Sequence, residues 1–206
     1  MPLEPIPDTP RRERKRQQTA DRLVQTAFAL FAEHGYAAVT MEQIAAAADV
    51  AKGTLYNYFP VKEALVRHRM HADLAAHLPV LLKAVPDGAG CAERLRAFLH
   101  ASADYLQGAR EYLPAYLQYR LGQPIADMQG ATRSGLDQVF VDLIDAGQAG
   151  GEIASHLKAE ELASHLQFLH LGALLHWLAQ PETDLRVAFD WMLDMFFHGC
   201  AAGTAS

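Results

Sequence analysis

The residues best suited to bind a ligand lie in one short stretch, residues 51–59, which reads AKGTLYNYF. It combines a positive charge, a glycine and several hydrogen-bonding groups: Lys52, Gly53, Thr54, Tyr56, Asn57 and Tyr58. On a helix with about 100° per residue, Leu55, Tyr58 and Phe59 fall on one side, whereas Gly53 and Asn57 fall on the opposite side. A polar, cationic face that is open at a glycine predicts contact with the phosphates and base edges of a nucleic acid.

Two short helices around a tight turn would present this face. The first helix is expected to begin at Thr40, because Thr40 and Gln43 have the spacing of a capping box. A turn at residues 49–50 separates it from the polar helix, which Pro60 must end or interrupt. The order helix, turn, helix over residues 40–59 predicts a helix-turn-helix motif, whose second helix enters the major groove of DNA.

The charge of the chain is unevenly distributed. Residues 1–70 carry ten Lys and Arg against eight Asp and Glu, and the remainder carries eight against sixteen, which together give the net charge of −6. The run RRERKR at residues 11–16 is the densest basic segment. This asymmetry predicts a small anion-facing module joined to a larger acidic body, and it argues against indiscriminate nucleic-acid binding.

Helical periodicity continues after the motif, and no alternating run of β-branched residues is long enough for a strand. A helix from residue 61 is expected to stop before Pro79, and another segment is expected to be broken at Pro114. The last two helices are predicted at about residues 160–179 and 184–198. The sequence therefore predicts an all-α fold.

Many positions between residues 23 and 65 follow one pattern at fixed spacing: Ala27, Leu30, Phe31, Gly35, Tyr36, Thr40, Ile44, Ala45, Ala48, Val50, Lys52, Gly53, Thr54, Leu55, Tyr56, Tyr58, Phe59, Lys62, Glu63, Ala64 and Leu65. This pattern closely resembles the TetR family of bacterial repressors (TetR/AcrR type). The resemblance implies a three-helix DNA-binding domain over residues 17–77 and a helical effector-binding and dimerisation domain over residues 78–206. Residues 1–16, with four prolines, are expected to form a disordered basic tail that supplements phosphate binding or enters a minor groove.

The resemblance implies DNA contacts at eight positions of this sequence: Thr40, Lys52, Gly53, Thr54, Tyr56, Asn57, Tyr58 and Lys62. Thr40 would cap the second helix and meet a phosphate, and Lys62 would reach another. Three positions depart from the family pattern. Asp49 replaces a common glycine in the turn, Ala51 replaces a polar cap, at a loss of about 1 kcal/mol, and Val61 replaces a polar residue.

Aromatic and sulfur side chains of the C-terminal part are candidates for an effector pocket of the kind that the resemblance implies. They are Tyr105, Tyr112, Tyr116, Tyr119, Met128, Phe140, Phe168 and Trp177. Three of the tyrosines have helical spacing, so they would share one face and stack on an apolar or aromatic molecule. The alternative is that they form a partly buried helix face and core.

The last two predicted helices are apolar over more than one face. A single chain would struggle to cover all of these side chains, so we expect a dimer interface. The residues assigned to it are Phe168, Leu171, Leu175, Phe189, Met192 and Phe196. A simple deep core is the alternative, although a twofold dimer also suits the reading of a palindromic DNA site.

The ten histidines do not predict a metal site. His68 and His71 have a possible two-ligand spacing, but no carboxylate or thiol nearby completes a set. Cys91 and Cys200 stand far apart without metal-ligand spacing, which is typical of a reduced, cytoplasmic protein. No nucleophile elbow, phosphate loop or pair of catalytic carboxylates is present, so we expect neither an enzyme nor a cofactor.

These inferences predict a homodimeric transcriptional regulator, a repressor that a small apolar or aromatic effector releases from palindromic operator DNA, without a membrane-spanning segment. Two other classes stay open. The first is a DNA-binding protein without an effector, whose C-terminal domain docks another protein. The second is an all-α, metal-dependent enzyme that uses the histidines.

Overall fold

The structure is a computed structural model that describes residues 9–123, 135–180 and 182–199. Over these residues every regular element is an α-helix, which confirms the predicted all-α class. The helices are α1 (Thr9–His34), α2 (Met41–Ala47), α3 (Lys52–Tyr58), α4 (Lys62–Lys83), α5 (Cys91–Gly108), α6 (Leu113–Leu121), α7 (Leu136–Ala149), α8 (Ala159–Ala179) and α9 (Leu185–His198).

The chain divides into two compact units, Met1–Met70 and His71–Ser206. The division falls within α4, ahead of the boundary predicted between residues 77 and 78. The sequence also predicts that α4 stops before Pro79, and that prediction is wrong, because the helix includes Pro79 and continues to Lys83. Pro79 is exposed, so water can satisfy the carbonyl that lacks its helical partner.

The first unit is built on the apolar face of α1. The side chains of Leu23, Ala27 and Phe31 are almost completely buried. Ile44 of α2 and Leu55 of α3 are fully buried as well, and α1 packs on α2, which packs on α3. These contacts fix the orientation of the two short helices, neither of which would be stable alone at seven residues.

The basic run is helical, which corrects the expectation of a disordered tail for residues 9–16. Helix α1 begins at Thr9 and carries Pro10 in its first turn, where proline is tolerated. Arginine, lysine, glutamate and glutamine are good helix formers, so α1 continues toward the N-terminus beyond its buried residues. Residues 11–16 are all exposed.

The helix-turn-helix motif has the capping box and the tight turn that the sequence predicts. The Thr40 hydroxyl accepts a hydrogen bond from the Gln43 backbone N–H at 3.2 Å, and the Gln43 side chain accepts one from the Thr40 N–H at 2.8 Å. Asp49 has a φ of 52°, a left-handed conformation that glycine adopts more readily. Ala51 precedes α3 without any side-chain cap. The departures at both positions therefore leave the motif intact.

The second unit is a helical bundle in which α5, α7, α8 and α9 pack together. Its largest fully buried side chains include Phe98, Phe140, Trp177 and Phe189. Helices α8 and α9 lie where the sequence predicts the last two helices. Helix α6 begins with Leu113 and Pro114, so Pro114 starts a helix instead of breaking one.

The N-terminus of α5 is capped by a residue that is distant in sequence. Gly90 precedes the helix and has no side chain, and Glu152 accepts a hydrogen bond from the Cys91 backbone N–H at 2.8 Å. The buried Cys91 thiol donates to the Leu143 carbonyl at 3.3 Å. A Cβ atom on Gly147 would lie 2.8 Å from the Cys91 Cβ, so glycine is required for this close approach.

Candidate nucleic-acid interface and effector region

Helix α3 presents most of its predicted contact residues to solvent. Lys52, Gly53, Tyr56 and Asn57 are exposed, and Thr54 and Tyr58 are half-buried; the apolar Leu55 and Phe59 are buried. The predicted division of this helix into an apolar and a polar side is therefore found in the structure. The DNA contacts themselves stay a prediction.

Gly53 has no packing role within the described part of the molecule. A Cβ atom built on it would find no other atom within 4 Å, and its φ is not positive. Alanine would fit this position and would favour the helix. Glycine here is thus unexplained by the fold, and it leaves the backbone of α3 open to the close approach of another molecule.

Lys62 is largely engaged within its own unit, and its predicted phosphate contact stays a prediction. Its ammonium group donates to the carbonyl oxygens of Tyr36 at 2.6 Å and Val39 at 2.8 Å, and it lies 4.2 Å from the centre of the Tyr36 ring. The Tyr36 hydroxyl in turn donates to Glu63 at 3.2 Å. Since an ammonium has three N–H donors, at most one remains for a phosphate. Lys62 positions the connection between α1 and α2.

Glu42 is a polar residue of this surface that the sequence reasoning missed. Its Oε1 atom accepts a hydrogen bond from the Tyr56 hydroxyl at 3.3 Å and lies 3.8 Å from the Lys52 Nζ. The contact with Glu42 adds to desolvation in raising the pKa of Tyr56 above its ordinary value. Two residues assigned to DNA contact are thus joined to one carboxylate of α2. Only the folded arrangement of α2 and α3 reveals this.

The N-terminal unit matches a known family. Residues 23–68 match the model of the bacterial regulatory proteins of the tetR family. The chain is also 26% identical over 191 residues to MftR of Mycobacterium tuberculosis, named as a mycofactocin biosynthesis transcriptional regulator, which spans 92% of this chain and 95% of that protein. The predicted resemblance to the TetR family is thereby confirmed for the N-terminal unit, and the chain is a transcriptional regulator, as predicted.

Solved structures show that the TetR fold extends through the second unit. FadR of Thermus thermophilus, a TetR-family repressor solved with lauroyl-CoA, superposes with a TM-score of 0.74 at 24% identity, over 90% of this chain and 97% of that one. FadR of Bacillus subtilis, solved with stearoyl-CoA, gives a TM-score of 0.65 at 18% identity, over 87% and 98% of the two chains. At these identities the likeness concerns the fold alone.

The residues assigned to an effector pocket lie in different environments. Tyr116, Phe140 and Trp177 are buried, and Tyr105, Tyr112 and Tyr119 are half-buried. Phe168 is 57% exposed, so its assignment to an enclosed pocket is corrected. Trp177 is held by its own unit, because its indole N–H donates to the Thr183 carbonyl at 2.8 Å. Met128 lies outside the described residues.

A polar group missed by the sequence reasoning lies beside these aromatic side chains. The Tyr116 hydroxyl is 3.4 Å from a guanidinium nitrogen of Arg120 and 3.4 Å from the His71 Nε2.

His170 is buried between aromatic rings, stacked on Phe189 at 5.2 Å between ring centres. Burial, assisted by the positive charge of Arg120, lowers the pKa of His170 to about 4. His170 is therefore neutral at pH 7.

The residues assigned to a dimer interface also separate into two groups. Phe168 and Leu175 of α8 are exposed, but Leu171, Phe189 and Met192 are buried in the unit's own core, which corrects their assignment; Phe196 is half-buried. The exposed apolar residues of α9, which the assigned set does not include, are Val187, Trp191 and Met195. These recur every fourth residue, so they form one stripe, which we call the α9 stripe.

The described residues contain no group of three or more His, Cys, Asp or Glu side chains arranged to hold a metal ion. His68 instead hydrogen-bonds the Asp21 carboxylate at 2.9 Å.

Over the described residues, no helix has the length and apolar character needed to cross a bilayer. The family relatives that match this chain are transcriptional regulators and not enzymes.

Proposed function

We propose that this protein is a homodimeric repressor that binds a palindromic operator through α3 and is released from it by a small amphipathic effector. The observation that carries the proposal is the exposed polar face of α3 in a TetR-family chain, with an unpacked glycine at its start. Two such faces, one on each protomer, would read two half-sites of DNA.

We infer the effector class from the second unit. It combines aromatic side chains with a polar group formed by the buried Tyr116 and the half-buried His71 and Arg120. Within the described part of the chain, Arg120 has no carboxylate partner, so an anionic or carbonyl group of a ligand would complete its interactions. Two regulators of the same fold were solved with lauroyl-CoA and stearoyl-CoA. A fatty acyl-CoA satisfies both the apolar and the polar requirement.

The test of this proposal is fluorescence anisotropy with DNA from upstream of the protein's own gene. We expect binding in the nanomolar range, sensitive to salt, with a preference of about 10³ or more over an unrelated duplex. Lauroyl-CoA should release the DNA, whereas free CoA should not. The double variant Lys52→Ala/Tyr56→Ala should bind at least about tenfold more weakly, because it loses a phosphate-directed cation and an aromatic contact.

Equal, weak binding of the wild-type protein to both duplexes would refute the proposed operator. Specific binding that no acyl-CoA weakens would refute the effector class alone.

The dimer interface is proposed to include the α9 stripe together with Phe168 and Leu175. We expect Trp191→Ala to shift the protein from dimer to monomer in sedimentation equilibrium, because Trp191 is 70% exposed in the single chain and large aromatic residues dominate interfaces. The matched control is Val80→Ala, since Val80 is another exposed apolar residue of the second unit, at 64%. A Trp191→Ala variant that stays dimeric would exclude the α9 stripe.

A further inference from the structure

An acidic side chain lies on the surface that is proposed to approach DNA. Glu42 is in the first turn of α2, and its carboxylate contacts Tyr56 and Lys52, both assigned to DNA contact. A carboxylate at such a place repels the phosphate backbone, so it opposes binding unless it meets a hydrogen-bond donor. Either the stability of the fold or the recognition of DNA must therefore explain why Glu42 is at this position.

The cap of α2 does not supply that reason. Thr40 and Gln43 form the capping box by themselves, and Glu42 takes no part in it. The contact with Lys52 joins two largely exposed side chains, at 66% and 47% relative exposure, and such pairs add little to stability. A negative charge in the first turn of α2 also favours the helix, but only weakly for an exposed side chain, so the fold does not depend on Glu42.

The two contacts of Glu42 orient its carboxylate and leave half of it available. Both Tyr56 and Lys52 approach the same oxygen, Oε1. Within the part of the chain that the structure describes, the other oxygen, Oε2, has no hydrogen-bond or ion-pair partner. A carboxylate held at one oxygen and free at the other is suited to accept one further hydrogen bond from a fixed direction.

We infer that Glu42 is a specificity-determining residue that accepts a hydrogen bond from the N4 amino group of cytosine in the major groove. Among the base edges in that groove, the cytosine amino group is the donor that a carboxylate prefers. Tyr56 and Lys52 act as positioning residues for this contact. The inference rests on the proposed function, because it assumes that α2 and α3 face operator DNA.

The arrangement also discriminates against other sequences. At a guanine or thymine the free oxygen would face an acceptor, and on non-specific DNA it would face phosphate oxygens. Both contacts are repulsive, so Glu42 would lower the affinity for wrong sites more than for the right one. The residue would thus act by excluding sequences as well as by binding one.

The experiment is selection of binding sequences from a library of random duplexes, with the wild-type protein and the variants Glu42→Gln and Glu33→Gln. Glu33 is an exposed acid at the end of α1, so the second variant makes the same charge change away from α3. We expect the wild-type motif to contain a cytosine at one position of each half-site. Glu42→Gln should reduce the preference for that cytosine at least about fivefold, because the neutral amide accepts a weaker hydrogen bond and its NH2 group favours adenine, and Glu33→Gln should leave it unchanged.

Identical motifs from the wild-type protein and Glu42→Gln would overturn the inference and leave the proposed function standing. Failure of the wild-type protein to select any motif would overturn both. A general rise in affinity without a change in base preference would also overturn it, because Glu42 would then act only through its charge. Melting temperatures of the variants establish that they remain folded.

Discussion

Replacing Gly53 by alanine is expected to stabilise the protein and at the same time to weaken its binding to DNA. Glycine in a helix is less favourable than alanine by up to about 1 kcal/mol. In the described structure, no atom outside the two chain neighbours and the nearby backbone of the same helix lies within 4 Å of the added methyl group. The melting temperature should therefore rise by about 1–3 °C. The affinity for operator DNA should fall at least about fivefold, because the methyl group would separate the backbone of α3 from the groove.

The two effects have opposite signs, which makes the prediction easy to refute. Differential scanning fluorimetry measures the first and anisotropy with operator DNA measures the second. Gly108→Ala is the control, because Gly108 also lies in a helix with open space around it, but in the second unit. Unchanged DNA affinity in Gly53→Ala would remove the functional explanation for this glycine.

His170 is expected to make the protein sensitive to acid. Its pKa is about 4 in the folded protein and about 6.5 in the unfolded chain. Below pH 6.5 the unfolded chain binds a proton at this imidazole, whereas the folded protein does not until the pH approaches 4. The free energy of unfolding should therefore decrease as the pH falls, by about 3 kcal/mol between pH 7 and pH 4 from this residue alone.

Urea unfolding of the wild-type protein and of His170→Leu across this pH range measures the effect. Leucine has a similar volume and does not titrate, so the variant should gain about 3 kcal/mol relative to the wild type between pH 7 and pH 4. His165→Gln is the control, since His165 is exposed on the same helix. A constant difference in unfolding free energy between wild type and His170→Leu at all pH values would contradict the assignment.

The helix-turn-helix motif could be predicted from the sequence because it depends on interactions between residues that are close in sequence. Thr40 and Gln43 predict a capping box from their spacing, and the structure contains it. The polar face of α3 likewise follows from helical periodicity. Lys62 and Glu42 were not predictable in this way, because their partners lie in other elements. The carbonyls that Lys62 binds belong to the connection before α2, and the residues that Glu42 contacts belong to α3.

Helix α9 shows a second limit of prediction from the sequence, which concerns the face of a helix that is buried. Its apolar residues form one buried stripe that includes Phe189 and Met192, and one exposed stripe that includes Trp191 and Met195. Periodicity separates the two stripes, but it does not say which one faces the core. That choice depends on the positions of α5 and α8, which pack against α9. The sequence alone therefore predicted an excess of apolar surface correctly and assigned some of it to the wrong residues.

The cap that Glu152 provides for α5 has a consequence for the order of folding. The contact closes a loop between Cys91 and a residue 61 positions later, so this cap of α5 cannot form until the segment after α7 has been made and has docked. The capping box of α2 spans only three residues and can form on the time scale of a single helix. During synthesis the helix-turn-helix motif would therefore form before the cap of α5 does, and folding of the helical bundle would be the slow step.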